Sequence, residues 1–291
     1  MATTHVNAAA SGTFALGGDL QIHRLGFGAM RITGEGIWGE PKDPEKAKQV
    51  LRRALELGIN FVDTADSYGP EVSERLIAEA LYPYPSGLII ATKGGLTRSG
   101  PNRWAPVGRP EYLRQCVEMS LRRLKIECID LWQLHRIDPK VPVEESLGAI
   151  KELQKQGKIR HIGLSEVVPA DIERAKKTVA IISVQNLYNL TERKYESTVE
   201  YCEQNNVGFI PWFPVAAGAL ARPGGPLDTA AKRHKATVAQ LSLAWLLHRS
   251  SAMLPIPGTS SLEHLEENVA AAAVELTPDE WEAIESEAGQ K

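Results

Sequence analysis

Three apolar runs of this chain end in residues that can move protons. "NFVDTA" leads into "DSYG", which sets Asp63, Asp66 and Tyr68 close together; "LIIATK" ends in Lys93, and "IDLWQLH" ends in His135. Taken one at a time these residues have plain readings. Asp, Ser and Gly are ordinary turn residues, His135 could be a satisfied core histidine, and Lys93 could snorkel to a rim. Together they make a coherent acid. A free tyrosine titrates near ~10 and is a poor proton donor at neutral pH. An ammonium beside it favours the phenolate, a carboxylate keeps that ammonium charged, and a histidine can orient a carbonyl oxygen. This is general acid catalysis by a tuned phenol. The hydride for a reduction must come from a cofactor, because no side chain supplies one.

The elements that would carry these residues follow a repeating pattern. "TFALGGDLQIH" reads as a hairpin turning at Gly17-Gly18-Asp19. Strand-like runs then fall at 24–30, 60–65, 88–93, 129–135, 159–165, 182–188, 208–214 and 253–259. Segments with helical spacing of apolar residues lie between them, such as "DPEKAKQVLRRALELG", with Asp43 as N-cap, Pro44 in the first turn and Gly58 as the stop. Eight strand–helix units predict a closed (β/α)8 TIM barrel with an N-terminal β-hairpin and additional C-terminal helices, over one domain spanning 1–291. Chemistry in such a barrel sits at the C-terminal ends of the strands. The reading therefore adds Ser165, Glu166, Gln185, Asn186 and Trp212 to Asp63, Tyr68, Lys93 and His135. An open doubly wound sheet fits less well: Gly26 and Gly28 begin a phosphate-binding fingerprint, but Arg31 stands where its third glycine belongs.

The whole chain narrows the classes of function. Its 291 residues carry a net charge of -3, which gives no basic field for nucleic acid or an anionic membrane. Three widely spaced cysteines with no CxxC read as reduced thiols in a cytoplasmic protein. No apolar stretch reaches the length of a membrane span. Residues 1–12 lack a secretion signal and read as a mobile tail. No His-x-His follows the first strand, so a metal-dependent barrel hydrolase is disfavoured and no metal is expected.

At this point "NFVDTADSYG", "ATKGG", "LWQLH", "IGLSE", "VQNLYN", "PWFPVAAG" and "LPIPGTSSLEHLEEN" together resemble the aldo-keto reductase superfamily, particularly its bacterial single-domain members, from about residue 13 to 287. The resemblance implies a nicotinamide-dependent reductase of aldehydes or ketones with Asp63, Tyr68, Lys93 and His135 as catalytic tetrad and Tyr68 as proton donor. Asp66 lies outside that tetrad and reads as a turn residue. The resemblance also places a cofactor: Ser165 and Gln185 on the nicotinamide carboxamide, Trp212 stacked on the ring, and Met30 by the nicotinamide ribose. It puts Phe213, Pro214, Val215, Gly218 and Leu220 over the pyrophosphate. Gly258, Thr259, Ser260, His264, Glu267 and Asn268 fall at the adenosine ribose.

Three positions depart from the pattern. Glu166 stands where many members have asparagine, His264 replaces a frequent arginine, and Phe213 a frequent serine. Between Arg249 and Lys291 there is no lysine or arginine. The expectation is therefore a modest preference for NADP(H), resting on hydroxyls, a helix N-terminus and His264 when protonated, with NAD(H) as the weaker alternative. A small-molecule carbonyl is the expected partner, with no nucleic acid, membrane or obligatory protein. The competing reading is a nicotinamide-binding regulatory or sensor subunit with slow turnover. Trp38 and Trp104, in the long loops 33–43 and 94–110, either line an apolar pocket or pack those loops.

Overall fold

The computed structural model describes residues 6–215 and 222–288. The chain begins with β1 (Thr13–Leu16) and β2 (Leu20–His23), an antiparallel hairpin in which Thr13 pairs with His23 and Leu16 with Leu20. Its turn is made by Gly17 and Gly18, both at positive φ, the conformation glycine adopts without strain. Phe14, Leu16 and Ile22 pack against Phe61, Ile89, Leu131, Ile210 and Leu254, near the starts of the inner strands. The hairpin thus plugs one end of the sheet.

The segment before it differs from the expected mobile tail. Asn7 caps a short helical turn at Ala8–Ser11, Ala8 is buried, and its N–H donates to the Leu57 carbonyl at 2.8 Å. Ser11 Oγ accepts from Leu25 N at 3.0 Å. These bonds to the body of the protein, with the burial of Ala8, hold the turn in place, so residues 7–12 are docked.

The inner strands are β3 (Phe27–Gly28), β4 (Phe61–Asp63) and β5 (Ile89–Gly94), followed by an inserted antiparallel hairpin, β6 (Leu96–Gly100) and β7 (Arg103–Pro106), where the sequence suggests only a loop over 94–110. The inner set continues with β8 (Ile129–Leu134), β9 (Ile159–Ser165), β10 (Ser183–Leu187) and β11 (Gly208–Trp212). These seven strands form one parallel sheet in the order β3-β4-β5-β8-β9-β10-β11. The eighth expected run closes it from both edges. Leu254 N donates to Phe209 O at 2.8 Å, and Gly26 N donates to Pro255 O at 3.0 Å. The closure is tight: a Cβ on Gly28 would lie 2.6 Å from the Ile256 carbonyl oxygen, and one on Gly258 would lie 2.5 Å from the Gly28 carbonyl oxygen. The result is an α/β barrel.

Helices alternate with these strands: α1 (Pro44–Glu56), α2 (Val72–Leu81), α3 (Pro110–Leu124), α4 (Val143–Lys155), α5 (Pro169–Lys176), α6 (Glu196–Gln204), α7 (Pro226–His234), α8 (Val238–Arg249), α9 (Leu262–Ala270) and α10 (Pro278–Ala288). Asp43 caps α1, its Oδ1 accepting from Lys46 N at 2.9 Å. The helices bury aliphatic faces against the outer side of the sheet, with Leu113, Val117, Leu147 and Ile150 packed on Trp132 and Ile162. No described helix is long and apolar enough to cross a membrane.

Register aligns the interior. Asp63 pairs with Ala91, Lys93 with Gln133, and Gln185 with Ser165. Side chains two apart on a strand share a face. Phe61, Ile89, Ala91 and Leu131 therefore line the interior with apolar side chains, and Asp63, Lys93 and Gln133, further along the same strand faces, make a polar layer above them.

Candidate active site

The polar layer is a network around two buried charges. Lys93, with no exposed surface, donates to Asp63 Oδ1 at 2.6 Å, to the Thr64 carbonyl at 2.7 Å and to Tyr68 Oη at 3.3 Å. The second oxygen of Asp63 accepts from Gln133 Nε2 at 3.0 Å and Gln185 Nε2 at 2.9 Å. A buried ion pair is tolerable only when its remaining polar atoms are also satisfied, and here they are. Burial opposes the ammonium, but Asp63 and Tyr68 outweigh it and hold Lys93 above its ordinary value.

Tyr68 stands in the turn between β4 and α2. Its N–H donates to Ala65 O at 3.2 Å, and its carbonyl accepts from Ser73 N at 3.1 Å. The next residue, Gly69, has φ +105, which favours glycine. Burial pushes the phenol above its ordinary value despite the pull of Lys93, so it stays protonated. The ammonium alone, as the sequence suggests, would lower the value; desolvation is the larger effect. His135 directly follows β8, with its ring 5.8 Å from that of Tyr68 and Nδ1 3.3 Å from Ser67 Oγ. Burial, then Lys93, Arg136 and Arg98, hold it well below an ordinary histidine. A neutral imidazole that accepts the Ser67 hydroxyl's hydrogen bond at Nδ1 presents Nε2–H as a donor.

These groups meet at a cavity of about 680 Å³. Asp63, Tyr68, His135, Ser165, Gln185, Trp212, Phe213, Pro214, Val215, Met30 and Gly258 all line it, and Lys93 lies beneath. Thr259, Ser260, His264, Glu267 and Asn268 do not reach that wall. Thr259 Oγ1 accepts from Ser261 N at 3.0 Å, Glu267 accepts through its carbonyl from Gln240 Nε2 at 2.9 Å, and Asn268 is buried in the last turn of α9. Gly218 and Leu220 lie outside the described residues.

The two tryptophans divide. Trp104 lines the cavity, 6.3 Å from the Tyr68 ring, and Trp38 does not. Arg98 lies against both, its guanidinium carbon 3.5 Å from the centre of Trp104 and 5.6 Å from that of Trp38. It also donates to the carbonyls of Ile37 and Ser67, each at 2.7 Å. Arg98 therefore clasps the β6–β7 hairpin to the turn that carries Tyr68.

Several contributors are not evident from the sequence pattern. Gln133 is signalled only by its position two residues before His135 on the same strand face. Glu166, which the sequence leaves without a role, sits at φ +58 with its carboxylate fully used: Oε1 accepts from Leu187 N at 2.7 Å and Trp212 Nε1 at 2.8 Å, Oε2 from Tyr195 Oη at 3.1 Å. It fixes Trp212. Arg31 lines the cavity, its Cγ 3.5 Å from where a Cβ on Gly258 would sit. It lies far in sequence from the lysine- and arginine-free stretch between Arg249 and Lys291. Asp66 is buried, and desolvation with help from Glu74 pushes its carboxyl to about 7, against a bond from Cys116.

The family model for aldo/keto reductases matches residues 24–288. The chain belongs to the aldo/keto reductase family. Among its relatives, an uncharacterized oxidoreductase of Schizosaccharomyces pombe is 56% identical over 286 residues, 98% of this chain and 93% of that protein. The pyridoxine 4-dehydrogenase of Escherichia coli is 40% identical over 275 residues, covering 92% and 96%. Among solved structures, the glycerol dehydrogenase of Gluconobacter oxydans superposes with a TM-score of 0.83 at 26% identity over 95% of each chain. A thermostable aldo-keto reductase held with the inhibitor epalrestat superposes with a TM-score of 0.79 at 29% identity, over 91% of this chain and 95% of that one.

Proposed function

We propose that this aldo/keto reductase reduces aldehydes or ketones to alcohols with NADPH, Tyr68 acting as the general acid. The observation that carries the reading is the phenol itself. Tyr68 Oη stands 3.3 Å from a fully buried Lys93 that Asp63 pins in place, at the wall of a cavity large enough for a small substrate and the nicotinamide end of a nucleotide.

The residues present suit such a cofactor. Gln185 spends its amide nitrogen on Asp63 and faces the cavity, Ser165 accepts from Arg136 and keeps its own proton to donate, and Glu166 sets the Trp212 ring. Gly28, Arg31 and Gly258 line the cavity, Gly258 a few residues before the N-terminus of α9, a favourable place for phosphate. Bound NADPH supplies the hydride. His135 donates to the carbonyl oxygen and orients it; Tyr68 then gives that oxygen its proton; Lys93 stabilises the phenolate left behind. The reaction consumes one proton and leaves alcohol and NADP⁺.

The test is NADPH oxidation with a panel of carbonyls that includes pyridoxal, because the E. coli relative is named for oxidising pyridoxine. Tyr68→Phe should lower kcat by about 10²–10⁴-fold and leave NADPH affinity, read by fluorescence quenching, nearly intact. With the phenol held high and His135 neutral, wild-type activity should stay flat from neutrality to about pH 9. Near-normal turnover by Tyr68→Phe would remove the assignment, and slow turnover of every carbonyl by the wild type would favour a sensor.

A further inference from the structure

Arg136 follows His135 at the end of β8 and lines the cavity. Its Nη1 donates to the His135 carbonyl at 2.6 Å and to Ser165 Oγ at 2.9 Å. Among the described residues neither Nε nor Nη2 has an acceptor and no carboxylate forms an ion pair with the guanidinium; residues 1–5, 216–221 and 289–291 contain no aspartate or glutamate. Two other arginines without ion pairs show what a structural role looks like here. Arg24 spends Nε, Nη1 and Nη2 on the carbonyls of Met253, Ser11, Leu247 and Ser250. Arg98 does the same with Arg103, Ile37, Ser67, Gly36 and Gly100. Arg136 keeps donors unspent at the place where chemistry occurs.

The charges around it leave the same vacancy. Glu166 attracts Arg136, but both its oxygens are taken by Leu187, Trp212 and Tyr195. Asp63 is held by Lys93, Gln133 and Gln185. Lys93, Arg98 and Arg136 together give this end of the cavity positive potential, and Ile37, Leu96, Trp104, Pro106 and Ile137 give it apolar walls. We propose that Arg136 reads an anionic oxygen on the substrate, and that the preferred carbonyl compound carries a carboxylate or phenolate a few bonds from the reacting carbon, on an apolar body. This rests on the carbonyl-reductase reading of the site. His135 and Arg136 both line the cavity and are joined by the Arg136 bond to the His135 carbonyl, so the two oxygens of such a substrate lie close together, as in an ortho- or meta-substituted ring.

The measurement is the ratio of kcat/KM for 2- and 3-carboxybenzaldehyde to that for benzaldehyde, in wild type, Arg136→Met and Arg136→Lys. The wild type should favour the better carboxylated aldehyde by at least about tenfold. In Arg136→Met the ratio should fall by about 10–100-fold, the range carried by a hydrogen bond to a charged group, with the loss in KM. Arg136→Lys should retain part of the preference. Benzoate binding to the NADP⁺-loaded protein, read by calorimetry, should weaken by the same range in Arg136→Met. A wild-type ratio near one, an unchanged ratio in Arg136→Met, or equal losses for both aldehydes together with lost NADPH affinity would overturn the proposal; the last outcome would assign Arg136 to the cofactor. If the wild type reduces neither aldehyde, the reductase reading fails, and the benzoate arm alone decides: binding lost in Arg136→Met supports the anion site, binding retained overturns it.

Discussion

At the inner end of the cavity Asp63 is tied to Lys93, Gln133 and Gln185, partners 30, 70 and 122 residues away. At Thr259 and Ser261, where the chain enters α9, the bonds are local: Thr259 Oγ1 accepts from Ser261 N two residues on, and Ser261 Oγ from His264 N three residues on at 3.4 Å. His264 and Ser260 are exposed. Bonds of the first kind exist only when the barrel is closed, and losing one leaves a charge buried without a partner. Bonds of the second kind form within one turn and cap of chain. The Asp63–Lys93 network is thus locked to the fold, and the exposed positions Ser260 and His264 can change with little structural cost.

The largest effect should come from breaking the locked end. Lys93→Met removes the ammonium and leaves Asp63 to two amides; activity at neutral pH should fall by about 10²–10⁴-fold, with a lowered unfolding temperature. An enzyme that kept most of its activity would show that the network is scaffolding only. An intermediate effect is expected where the two ends meet. Glu166→Gln gives the Trp212 and Tyr195 donors a poorer acceptor, and NADPH binding should weaken by about tenfold, as read by fluorescence titration.

A smaller change should follow at the outer end. His264→Arg adds a charge that persists across the working pH range, and should raise the NADPH-to-NADH ratio of kcat/KM by a few-fold, about one weak surface contact. A larger shift would mean that the outer end is bound into the site as firmly as the inner one.

The smallest effect on catalysis should be that of Asp66→Asn, which touches stability. Asp66 titrates near 7 in the fold and near ~3.9 unfolded. Its favourable contribution is therefore complete below the unfolded value and is lost as pH rises through 7. The variant should melt higher than wild type by an amount that grows from pH 5 to pH 8, on the order of 1–3 kcal/mol at the upper end. A constant difference across that range would place the ionisation elsewhere.

The same contrast explains what could be read from the sequence. Strand runs and their ends point to Asp63, Lys93 and His135, because inward positions alternate along each strand and chemistry gathers where strands stop. Helix signals such as Asp43-Pro44 are local and are legible too. Arg98 is not: its acceptors at Gly36, Ile37 and Ser67 come from two other loops, and "GGLTRSGPNRW" has the glycines of a loop although it pairs as a hairpin. Asp66 looks like any turn aspartate, since nothing nearby in sequence shows that α3 brings Cys116 and Arg123 against it. Asn7 and Ala8 carry no periodicity at all, yet the Leu57 carbonyl holds Ala8 against the barrel.

Lys93 has one more consequence. A primary amine next to an aldehyde ordinarily condenses with it to an imine, and an enzyme that draws aldehydes into a pocket beside a lysine risks inactivating itself. Attack requires a free electron pair on nitrogen. Here the nitrogen is kept protonated, and its three hydrogens point to Asp63, the Thr64 carbonyl and Tyr68. A carbonyl in the cavity therefore meets the hydroxyl of Tyr68, with the amine sealed behind it.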